Sequence, residues 1–137
     1  MPLIVSGDTR TTAGVLLLTI VAVEYGGWFM LRITRGRQPA TPFQQAFFRA
    51  GHAHAGVLVI LSLVAQIYAD AAHLSGAVAF LARDGIPLAA ILMPAGFFFA
   101  AAGREVTKPN QFIWLLYAGV VVLGLGVVSL GIGLLSA

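Results

Sequence analysis

Cysteine is absent from the 137 residues, so neither a disulfide framework nor a thiolate metal site can be built. Charge is scarce as well. Only 9% of residues are charged, against about 25% in a soluble domain, so the chain lacks the polar surface to cover itself in water. With 59% hydrophobic residues and a mean hydropathy of +0.93, lipid has to provide the cover. The ten-residue alternating segments of a membrane β-barrel are missing, as are repeats and low-complexity linkers. Residues Met1 to Arg10 do not form a basic n-region ahead of a short apolar core, so no cleavable targeting signal is expected. Lysine occurs once, at Lys108, beside seven arginines. The resulting pI near 10.0 does not point to nucleic acid, because the basic residues flank apolar runs. Their natural partners are anionic lipid headgroups.

What the chain does have is four apolar segments, over about 11–31, 47–69, 86–103 and 111–135. Each is close to the ~20 residues that cross ~30 Å of hydrocarbon. The expected fold is all-α: one domain, a four-helix transmembrane bundle in a bacterial plasma membrane. Pro39 and Pro42 mark the first connection as a loop, Pro87 suits the first turn of helix 3, and Asn110 suits the N-cap of helix 4. The stretch from Ala71 to Asp84 is too short and too mildly apolar to span, and predicts a short interfacial helix over 74–82. Arg32, Arg35, Arg37, Arg49, Arg104 and Lys108 belong to two loops on one side, against Arg10 and Arg83 on the other. Positive-inside bias puts both of those loops in the cytoplasm and both termini outside.

Few polar residues sit where a bilayer would normally exclude them. Glu24 is the one carboxylate deep in an apolar span, about 12 Å along the helix from Arg32 at ~1.5 Å per residue. By default such a group marks a functional site or a buried pair, and a protonated Glu bonded to a neighbouring helix is the structural alternative. Arg49-Ala-Gly-His-Ala-His-Ala-Gly56 opens helix 2. His52 and His54 stand about 200° apart on an α-helix, so they cannot chelate one metal together. For haem, His73 lies on the same helix at the opposite membrane face, leaving a second subunit or Met30 to supply the other axial ligand. The spacing thus argues against haem and metal and leaves the cofactor unknown. Glu24, His52 and His54, with Arg49 above them, form the expected ligand or proton site between helices 1 and 2, which neighbour each other in sequence. His52, Gln66 and Asp70 fall along one line of helix 2, with Arg49 and His73 near its edges. The apolar middle of that stripe, around Val59 and Leu63, speaks against an open pore.

Helix 3 carries Pro94 in mid-span, which kinks it and is read as a packing feature. On helix 4, Gly119, Gly126 and Gly133 repeat every seven residues, as do Gly124 and Gly131 on the other side. Small residues let helices approach closely in lipid, so helix 4 is expected to pack on both faces. Since a single bundle uses mainly one face, a homo-oligomer or a larger membrane complex follows.

The stretch Arg49-Ala50-Gly51-His52-Ala53-His54 loosely resembles the Arg-Ala-His type motif opening the second helix of the membrane-associated eicosanoid and glutathione metabolism proteins. Those are trimers of four-helix chains. The resemblance covers this short stretch and the topology. It departs from the family pattern by one extra residue, by histidine in place of asparagine, and by Gly56-Val57 where a glutamate should fall. It implies a small membrane enzyme in which Arg49, His52 and the basic loop hold an anionic cosubstrate. The leading expectation is instead a non-catalytic accessory or ligand-binding protein with a buried Glu/His site. An ion or proton conductor using Glu24 stands third.

Overall fold

A computed structural model describes residues 5–136, so the first part of the Met1–Arg10 segment lies outside the described residues. It contains α1 (Gly7–Thr34), α2 (Pro42–Ala71), α3 (Gly76–Ala100) and α4 (Ile113–Leu135). All four are long and apolar enough to cross a membrane, so the chain is an all-α, multi-pass membrane protein. Packing follows chain order. α3 lies most extensively on α4, α2 on α3, and α1 on α2, while α2 meets α4 over a short stretch. α1 is the least buried of the four. Both described chain ends and the α2–α3 connection share one end of the bundle, here the terminal end. The other two connections form the loop end.

Local chemistry sets the helix ends. Ser6 caps α1 by accepting from Thr9 N. Thr41 caps α2 in a reciprocal box with Gln44, and Pro42 opens that helix where its missing N–H costs nothing. Asn110 is not the N-cap of α4, a place taken by Phe112. Instead Asn110 organises the turn before it, accepting from Phe112 N and donating to Phe99 O, both at 2.9 Å.

Helix 3 departs most from expectation. The interfacial helix expected over 74–82 is not a separate element, because the chain runs unbroken from Gly76 to Ala100. Pro87 therefore lies well inside the helix rather than in its first turn. The first turns reach the core because Ala82 and Ile86 join Ala65, Ala69 and Leu130 in its main cluster. Arg83 enters with them because its charge is matched, as described below.

Of the two glycine stripes on α4, one packs. A Cβ on Gly119 would lie 2.5 Å from Met93 Cγ, one on Gly126 3.1 Å from Ile86 N, and one on Gly133 2.6 Å from Leu74 Cδ1. Gly85 and Gly96 answer from α3, and a Cβ on Gly96 would lie 2.7 Å from Leu116 Cα. A Cβ on Gly124 or Gly131 would meet nothing within 4 Å, so among the described residues this second stripe of α4 is left unpacked.

Candidate functional site

The residues expected to form one site divide among three places. His52 lies against the glycine pair of α1. A Cβ on Gly26 would stand 3.2 Å from its Nδ1, and one on Gly27 3.4 Å from its Cε1. The Gly26 position is the tighter of the two, so the imidazole rests on the glycine surface between α1 and α2. His54, about 200° further round α2, packs instead on Phe97 with ring centroids 5.0 Å apart. Its Nδ1 lies 2.7 Å from Ala50 O and donates to that carbonyl, and Nε2 has no partner among the described residues.

Glu24 joins neither histidine. It is exposed, on a flank of α1 beside the face that meets α2, and no ion pair connects it to an imidazole among the described residues. The expected Glu24–His52–His54 cluster is thus not assembled within one chain. The reason is helical phase: Val23, Gly26 and Gly27 occupy the face that meets α2, and Glu24 is turned about 100° from its centre, on an exposed side of α1. Arg49 is exposed as well. Among the described residues no three His, Asp or Glu side chains group as metal ligands.

His52 does belong to a cavity. A cleft of about 310 Å³ opens between α1 and α3, floored by α2. Leu16 and Val23 line one wall, Val59 and Ala55 the floor, and Pro87, Ala90 and Pro94 the other wall. Val15 and Ile91 belong to its lining and are themselves exposed, so the cleft opens sideways toward the lipid. Its polar side chains are Thr12, Thr19 and His52. Thr19 already donates to Leu16 O at 2.6 Å, whereas His52 makes no hydrogen bond among the described residues. Pro94 has no N–H to bond the Ala90 carbonyl one turn back, and among the described residues no side chain donates to that carbonyl; Ala90 is itself part of the lining.

Pro87 raises the same problem at Arg83 O, and there the chain solves it. Gln66, fully buried on α2, donates its Nε2 to Arg83 O at 2.6 Å. The expected polar stripe therefore has a structural task at this end of α2. Asp70 accepts from Ser6 N at 3.0 Å, from Ser6 Oγ at 2.8 Å and from Arg83 at 2.8 Å. Arg83 also donates to Thr9 Oγ1 at 2.7 Å. This clamp closes the cleft at the terminal end by tying α1, α2 and α3 together. His73 is exposed beyond it, in a left-handed conformation with φ 47°.

At the loop end a second, wider hollow is lined by Gln38, Thr41, Gln44, Arg104 and Glu105. Gln44 spans it, donating to Ala101 O at 3.0 Å and to Gly103 O at 2.9 Å. Thr41 Oγ1 donates to Val106 O. These bonds dock the two basic connections on each other. The cleft was not foreseen from the sequence, though the Gly26-Gly27 pair was a usable signal: two adjacent glycines in a helix make room for a neighbour. Comparison with known protein families, with curated proteins and with solved structures finds no match to this chain.

Proposed function

We propose that this is a non-catalytic ligand-binding membrane protein. Its ligand is a small apolar molecule with one hydrogen-bonding group, taken from the lipid phase into the α1–α3 cleft and held by His52. The observation carrying this reading is an apolar cavity of about 310 Å³ in which two polar side chains, Thr12 and His52, make no hydrogen bond among the described residues. Ligand sites begin at about 300 Å³ and combine mostly apolar walls with a few placed polar groups. A phospholipid chain could fill the space, but it would leave the imidazole and the Ala90 carbonyl without partners.

Native mass spectrometry of protein extracted in mild detergent tests the proposal. The wild type should retain a small molecule other than bulk phospholipid. Ala55→Phe should fill the cleft and abolish retention, and His52→Leu should reduce it about tenfold, the effect of one lost hydrogen bond. If only phospholipids are retained, equally by all three proteins, the reading fails.

A further inference from the structure

Glu24 is exposed on α1 among side chains that suit lipid, and it alone does not. Val21 at 67% exposure and Leu17 at 56% are at home against acyl chains. A carboxylate is not, and even a protonated carboxyl needs an acceptor for its O–H. Among the described residues Glu24 has no hydrogen-bond or ion-pair partner, and Arg32 lies over the Trp28 ring, 4.9 Å from its centroid.

Copies of one membrane protein share an orientation, so side-by-side contacts join groups of equal depth. The antiparallel register of α1 on α2 is set by Gly26 and Gly27 beside His52, and by Val23 as the neighbour of Gly56. That register puts Glu24 level with His54. His54 stands about 200° from His52 on α2 and so faces away from α1, while Glu24 is on an exposed flank of α1 about 100° round from the face that α2 covers. His54 is half-buried, held by Ala50 O and Phe97, with Nε2 unpartnered among the described residues. Seven residues from each, two turns toward the terminal end, Leu17 and Leu61 share the same flanks and are also exposed.

We propose that the protein self-associates side by side in the membrane. The outer flank of α1 in one copy packs on the outer flank of α2 in the next, and Glu24 bonds His54 of the partner subunit. An acid and a base meet at one depth, with Leu17 against Leu61 of the partner subunit as the apolar continuation. The two flanks differ, so the contact is heterologous and repeats as a ring or an open row. It is independent of the ligand cleft, which lies on the other side of α1.

The cysteine-free chain makes the test direct. Two differently tagged copies, one Leu17→Cys and one Leu61→Cys, are co-expressed and oxidised in native membranes. A disulfide joining the two tags is expected, and Val128→Cys on α4 should give none with Leu17→Cys. Adding Glu24→Leu to the Leu17→Cys copy should lower the mixed product about tenfold, the effect of one lost interhelical hydrogen bond. A product made only of Leu17→Cys pairs would overturn the proposal by pairing α1 with itself. So would a mixed product unchanged by Glu24→Leu, or no disulfide together with a single-chain mass in detergent.

Discussion

At the terminal end the Arg83 guanidinium donates to Thr9 Oγ1 and to Asp70 Oδ1, and Asp70 holds Ser6 by two further bonds. The ion pair is largely shielded, with side-chain exposures of 24% and 16%. Removing one member of such a pair leaves the other charge short of partners, which costs more than the bond itself is worth. Arg83→Leu should therefore destabilise the protein by about 2 kcal/mol. Asp70→Asn should cost less, because an amide oxygen can still accept from Ser6. Unfolding midpoints in a fixed detergent measure both, and an unchanged midpoint for Arg83→Leu would remove the clamp from the account. His52 poses the opposite case. Its imidazole lies directly against Gly26, where an added Cβ would stand 3.2 Å from Nδ1, a contact that a methyl would crowd and a branched side chain would block. Gly26→Val should displace it and lower ligand retention with little loss of stability. An equal loss of both would make the glycine a packing residue and nothing more.

Gln66 shows how a residue repairs a helix. Pro87 removes the donor that would have served Arg83 O, and Gln66 supplies one from α2. Gln66→Met should thus cost about 1–2 kcal/mol in the wild type, the penalty of an unsatisfied carbonyl. It should cost much less beside Pro87→Ala, which restores the helical N–H. A double-mutant cycle reads the coupling, and equal costs in both backgrounds would break the link. For α4, Gly96→Ala sets a methyl against the Leu116 backbone and should destabilise by about 1–3 kcal/mol. Gly131→Ala meets open space and should be neutral or stabilising by up to about 1 kcal/mol. If the two behaved alike in thermal unfolding, α3–α4 packing would not rest on the glycine stripe. These elements also show what was legible in the sequence. Four spans follow from hydropathy because nothing else buries so many apolar residues. The start of α3 did not follow, since Arg83 and Asp84 mimic a span end unless Asp70 is known to receive Arg83. Gln66 and Asp70 were readable as an inward stripe, but not the proline they serve. Glu24 and His52 were rightly given adjacent helices. Their separation came from phase, which the Gly26-Gly27 pair encodes and a depth argument alone ignores.

For the molecule as a whole, the clamp and the loop docking join opposite ends and leave different charge behind. At the terminal end Arg83 is committed to Asp70, which leaves Arg10 as the other basic residue of that side. At the loop end Gln44 and Thr41 hold the connections together through backbone carbonyls, so no arginine there is consumed by a salt bridge among the described residues. Arg35, Arg37, Arg104 and Lys108 stay exposed. Lysine and arginine gather at this end, and it is their excess in short loops, rather than net charge, that keeps those loops in the cytoplasm. The loop end should face the cytoplasm. In a chain without cysteine, Gly36→Cys between α1 and α2 should react with a membrane-impermeant maleimide only after lysis. His73→Cys, exposed between α2 and α3, should react in intact cells. The reverse pattern would invert the topology and place the cleft's clamped end inside the cell. Labelling of both cysteines in intact cells would mean mixed insertion, which the contrast between one bare basic end and one paired end argues against.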